Sequence, residues 1–154
     1  MLRRKLVSRL SIVVIIAVSA CDSPVESLVE RELWNGLGIR NYEFVYTVGC
    51  FCGFTGPNPT RLTVRDGVVV RVQATDSAVV GGNTPTPAAW PTIDSLFALV
   101  DRARGTNPAV LKVEYDDTYH FPKVINFDPV AMTADDEVTY RVEQFKPAAA
   151  GSSQ

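Results

Sequence analysis

The sequence has few of the residues that most often carry chemistry. There is one histidine, His120, and there are three cysteines, Cys21, Cys50 and Cys52. A single imidazole excludes a multi-histidine metal centre, and no Gly-x-Ser-x-Gly elbow presents a serine nucleophile. Gly81-Gly82 lacks the strand-to-helix glycine spacing that aims backbone amides at a phosphate. Basic charge is not in excess: 15 Lys and Arg stand against 17 Asp and Glu, which excludes a strongly basic nucleic-acid binder. The apolar run of residues 10–20 stops at Cys21-Asp22, short of the roughly 20 apolar residues a membrane-spanning helix needs. What remains is 154 residues, 46% hydrophobic and 21% charged, enough for one ordinary domain.

The first twenty residues read as an address. Arg3, Arg4, Lys5 and Arg9 precede the uncharged run LSIVVIIAVSA, the layout of a secretory signal. Val18-Ser19-Ala20-Cys21 resembles a bacterial lipobox, in which small residues precede a cysteine that is acylated and becomes the new N-terminus. Ordinary cleavage after Ala20, with Cys21 incidental, is the alternative. The lipobox reading makes Cys21 a lipidation site and places the protein in the bacterial cell envelope, anchored on the extracytoplasmic side. Removing residues 1–20 takes away four of the 15 basic residues and none of the 17 acids, leaving a balance of −6. Such a domain is repelled by phosphate backbones and anionic lipid alike, so the acyl chains must do the anchoring.

Past the signal, periodicity supplies the elements. Val25, Leu28, Val29 and Leu33 recur at three and four spacing on one helix face, with Ser23 and Pro24 at its start and Gly36 and Gly38 at its end. Trp34 and Leu37 are expected to fold back onto the sheet. Tyr42, Phe44, Tyr46, Val48, Cys50 and Cys52 alternate through a strand over 42–52, and GFTGPNPT reads as a loop. Asp66-Gly67 is a type I′ hairpin signal between Leu62, Val64 and Val68, Val70, Val72. Residues 74–91 read as a loop or flexible flap. Ile93, Leu96, Phe97 and Val100 mark a second helix, with Thr92 as its cap and Gly105 at its end. Segments 110–116, 122–127 and 137–145 read as three more strands. The expected fold class is α+β: an antiparallel sheet of about six strands, its apolar face covered by two helices, in the order α-βββ-α-βββ. The expected organisation is a signal at 1–20, a lipidated N-terminus and tether at 21–24, one domain at 25–146 and a disordered tail at 147–154.

Several strings together resemble domain-of-unknown-function family 6174: Trp34, Asn41-Tyr42-Glu43-Phe44, Cys50-Phe51-Cys52, Val64-Arg65-Asp66-Gly67-Val68, Ile93-Asp94-Ser95-Leu96-Phe97, Tyr115-Asp116, Phe121-Pro122 with Ile125 and Asp128, and Asp135-Asp136-Glu137. The resemblance runs from about residue 30 to 145 and implies a secreted or lipid-anchored envelope domain with no established activity. Where the family has a Gly-Tyr-Pro turn, this chain has His120-Phe121-Pro122.

Few constellations bear chemistry. If Cys21 carries lipid, Cys50 and Cys52 remain as an even pair in an oxidising compartment, which favours a structural disulfide. Strand neighbours two apart lie at the upper edge of disulfide reach, so a bridge needs a kink that Gly49 and Gly53 can permit. Buried unbridged thiols and a redox or metal-binding pair are the competing readings. Asp128, Asp135, Asp136 and Glu137, with Asp116 and Asp117 nearby, are weak metal candidates: they supply oxygens but lack the spacing of a calcium loop. Turn formation and strand-end polarity explain them as well. His120, alone in a turn, is expected to be solvated. Phe51, Phe54, Trp90, Tyr119 and Phe121 fall in loops or off the core-facing phase, as partner contacts or as a second apolar layer. The function expected is a non-enzymatic binding or scaffold domain with no cofactor, held to the membrane by lipid and facing an unidentified envelope protein. The alternative is a thiol-redox or metal-dependent envelope enzyme using Cys50 and Cys52 or the acidic loops. Nucleic acid is not an expected partner.

Overall fold

The computed structural model describes residues 24–51, 53, 56–81, 84–133 and 135–148. Its elements follow the expected order: α1 (Pro24–Gly36), β1 (Tyr42–Gly49), β2 (Gly56–Arg65), β3 (Val68–Gly81), α2 (Ile93–Gly105), β4 (Val110–Tyr115), β5 (Pro122–Asp128) and β6 (Val138–Pro147), with one 3-10 turn at Pro87–Ala89. The six strands form one antiparallel sheet in the order β3-β2-β1-β6-β5-β4. Each half is a meander, and the halves join where the first strand of one meets the last strand of the other. The α+β class and element order are those expected from the sequence.

Alternation builds the core. Tyr42, Phe44, Tyr46 and Val48 of β1 face inward beside Val64, Leu62 and Thr60 of β2 and Val142 of β6. Helix α2 lays Ile93, Leu96, Phe97 and Val100 on this face, each side chain fully buried and worth about 1.5–3 kcal/mol in transfer free energy. Its start is a capping box: the Thr92 hydroxyl accepts from Ser95 N–H, and Ser95 Oγ accepts from Thr92 N–H. The opposite sheet face carries cross-strand polar rows, Glu43 beside Thr63 and Thr47 beside Arg141. Among the described residues, no helix is long and apolar enough to cross a membrane.

Several local expectations are corrected. β1 ends at Gly49, so Cys50 lies beyond the strand. β2 begins at Gly56 and includes Pro57 and Pro59, despite the loop-like composition. The Asn58 side chain makes this possible: its Oδ1 accepts from Val48 N–H at 3.0 Å and its Nδ2 donates to Val48 O at 2.6 Å. The Asn58–Pro59 peptide is cis. β3 runs on to Gly81, so residues 74–81 are strand rather than flap. The Asp66-Gly67 turn has positive φ at both residues, as a type I′ turn requires. The expected Val68-Val70-Val72 alternation fails because the register shifts by one residue there: Val64 pairs with Val69 and Thr63 with Arg71, so Val69 is the buried residue and Val70 is exposed. β6 extends to Pro147, whose partner is Tyr42, and Ala148 N–H donates to Asn41 O. The tail expected to be disordered thus starts inside this strand, and residues 149–154 lie outside the described residues.

Candidate functional site

Helix α1 is seated the opposite way round from its hydrophobic pattern. The residues facing the body are Ser27, Glu30, Arg31 and Trp34. Trp34 is buried and donates from Nε1 to Asp94 Oδ1 at 2.9 Å, in the first turn of α2. Its indole meets Tyr42, Phe121 and Phe145 edge-on, with centroids 5.7, 6.3 and 5.9 Å away. The Arg31 guanidinium pairs with Asp101 Oδ2 at 2.7 Å and lies 5.2 Å above the Phe97 ring centroid. Glu30 Oε2 stands 2.9 Å from His120 Nδ1. These polar latches, together with one large aromatic, fix the helix face.

The consequence overturns the expected burial. Val25, Leu28, Val29 and Leu33 are 67, 58, 50 and 44% exposed, and Leu37 continues the same stripe instead of folding onto the sheet. Leu28, Val29, Glu32 and Leu33 line a shallow hollow of about 450 Å³. The aliphatic side chains of α1 thus stand in a row open to solvent.

Phe145 is an aromatic that alternation misses. Val138, Tyr140 and Val142 set a phase that points Phe145 outward. The register of β6 shifts opposite Glu43 and Val45, and Gln144 takes a φ of +51°. This turns Phe145 inward, to 4.7 Å from Phe121 and 4.9 Å from Tyr119.

Beside α1, residues 116–121 form a turn closed by backbone bonds from Asp116 N–H to Phe121 O and from His120 N–H to Asp116 O. Asp116 Oδ1 accepts the amides of Thr118 and Tyr119 at 3.0 and 2.8 Å, which commits that carboxylate to the turn. His120 sits at φ +65°, so it adopts the left-handed backbone that a glycine would supply at this position. It is half-buried against Glu30, not solvated as expected. Glu26, Glu30, Glu114, Asp116, Asp117 and His120 border a hollow of about 370 Å³.

The remaining sequence candidates are scattered. Cys21 and Cys52 lie outside the described residues, and Cys50 is half-buried against the edge of the core. Asp128 Oδ1 accepts from Val130 N–H at 3.1 Å as a turn-former. Asp128 and Glu137 border a shallow hollow with Asn126 and Thr139, whereas Asp135 is exposed and Asp136 half-buried. Among the described residues, no three His, Cys, Asp or Glu side chains gather as a group that could hold a metal ion. Trp90 and Phe121 are core residues, Tyr119 packs into the aromatic cluster, Phe51 is 85% exposed, and Phe54 lies outside the described residues.

The perturbed protons belong to the core. Burial holds the phenol of Tyr42 protonated above the usual tyrosine range, Asp94 adds to this, and the hydrogen bonds with Ile93 and Thr92 oppose it. Burial raises Tyr46 in the same way, helped by Tyr140, whose own phenol is raised by burial.

No curated protein and no solved structure matches the chain. A family model described as a family of unknown function, DUF6174, matches residues 26–147, from the first turn of α1 to the last residue of β6. The chain therefore belongs to the DUF6174 family.

Proposed function

We propose that this chain is a lipoprotein of the bacterial cell envelope, acylated at Cys21, whose domain acts by binding and not by turnover. The observation that carries the reading is Val18-Ser19-Ala20-Cys21, placed after an uncharged apolar run and immediately before the first helix. Several acyl chains on one residue anchor firmly, where one chain holds only marginally. A binding role is supported by how the polar side chains are used. Asp94 holds Trp34, Asp116 holds its own turn, Asn58 completes β1, and the Tyr42 hydroxyl accepts the Ile93 amide of α2 at 3.0 Å. Cys50 and Cys52 are proposed to form a local disulfide, since they are the even pair left once Cys21 is lipidated. The partner is an envelope protein, and nucleic acid is disfavoured by the −6 balance beyond residue 20.

The test is labelling with radioactive fatty acid, followed by fractionation of wild type and Cys21→Ala. Incorporation into wild type only, with Cys21→Ala lost from the membrane fraction, is expected. A wild-type protein that takes up no label and stays soluble would sink the proposal.

A further inference from the structure

We infer that the outward face of α1 rests on the surface of the bilayer that holds Cys21. This inference depends on the lipid-anchor reading and adds a second contact to it. Val25 is four residues from Cys21, and an extended chain spans at most about 3.6 Å per residue, so its Cα stays within roughly 14 Å of the anchored residue. The polar layer on each side of a bilayer is roughly 5–7 Å thick, and a helix is about 10–12 Å across. The first turn of α1 therefore stays within about one helix diameter of the polar layer, whatever path the residues before it take.

The face presented there suits that position. Val25, Leu28, Val29 and Leu33 form the exposed stripe, with Leu37 beyond them. The stripe cannot roll inward, because Trp34–Asp94, Arg31–Asp101 and Glu30–His120 tie the opposite side of the helix to the body. The helix is thus already formed, and docking costs no entropy of helix formation. Glu32 stands within the stripe, beside Leu28 and Val29, so its carboxylate must stay at the level of the headgroups, and with an acidic domain behind it anionic lipid offers no attraction. The contact is apolar: it should form on neutral lipid and tolerate salt. A second copy of the chain could cover the same stripe, but the tether keeps the bilayer at high effective concentration, whereas another copy must be found by diffusion.

The test uses the full chain purified from the membranes in which it is expressed and reconstituted into phosphatidylcholine vesicles with or without brominated acyl chains. Leu28→Trp and Leu33→Trp, both at exposed positions, report on the stripe. Val130→Trp is the reference, since Val130 follows the end of β5 remote from Phe121 and α1. Emission is compared with the parent protein, whose Trp34 and Trp90 are buried. Brominated lipid is expected to remove more than half of the added emission at positions 28 and 33 and to leave that at 130 unchanged, in low and high salt alike. Vesicle-bound protein in which positions 28 and 33 are quenched no more than 130, including protein whose stripe is shielded by a second copy, overturns the inference and leaves the anchor standing. Protein that does not float with vesicles fails the anchor reading itself, and the inference falls with it.

Discussion

The side-chain amide of Asn58 takes the place of a backbone in the sheet, meeting both the N–H and the C=O of Val48. Pro57 and Pro59 on either side lack the N–H donors a strand uses, and the Asn58 amide gives the Val48 carbonyl a donor and the Val48 N–H an acceptor. The edge of β1 next to Cys50 is closed by this one residue.

Asn58→Ala therefore leaves two backbone groups of Val48 unpaired and should destabilise the domain by about 1–3 kcal/mol. Asn58→Asp should cost more, because a carboxylate would face the Val48 carbonyl. Urea melts of the three proteins check the order. Equal midpoints would mean that water replaces the amide at no cost.

Tyr42, Tyr46 and Tyr140 set an upper pH limit. In the unfolded chain these phenols lose their protons near pH 10, at about the ordinary tyrosine value. The native state keeps them to higher pH, so in that window it binds more protons than the unfolded state. Their contribution is fully present below about pH 10 and is lost as pH climbs toward the folded values, at about 1.4 kcal/mol per pH unit for each phenol involved. Urea unfolding at pH 9 and pH 11 should reveal this fall, and Tyr46→Phe should flatten it. A slope unaffected by Tyr46→Phe would assign the effect to other groups.

His120 offers a paired comparison. His120→Ala removes the contact with Glu30 and keeps the unfavourable left-handed backbone; His120→Gly removes both. The glycine variant should be the more stable of the two by about 1 kcal/mol. Identical thermal midpoints would mean that the turn relaxes when the imidazole is removed.

How much of this was legible depends on what decided each element. The face of α2 is legible because Ile93, Leu96, Phe97 and Val100 all lie buried against the apolar face of the sheet. The same kind of spacing in α1 located the helix but not its seat, since periodicity identifies an apolar stripe without saying what lies against it. There the decision fell to Trp34 and to three polar partners distant in sequence, Asp94, Asp101 and His120. β2 is longer than its composition suggests because the Asn58 side chain stands in for backbone pairing there. Val70 points outward against the expected alternation, and Phe145 escapes the phase of Val138, Tyr140 and Val142, because one-residue register shifts reverse the phase of the side chains that follow. The outward stripe, the most distinctive surface of the domain, was thus visible as a pattern and hidden as a surface.

The position of β6 bears on how the protein is made. It is the last of the six described strands in chain order, yet it lies in the interior of the sheet, where Tyr46 must find Val142. Until that segment arrives, β1 and β5 each have a bare edge and the two meanders share no strand pairing. A nascent chain ending at residue 137 should be digested readily by protease, whereas the completed chain should resist. The sheet is completed only by its C-terminal strand, so the chain before β6 is expected to stay pliable for any threading that precedes it.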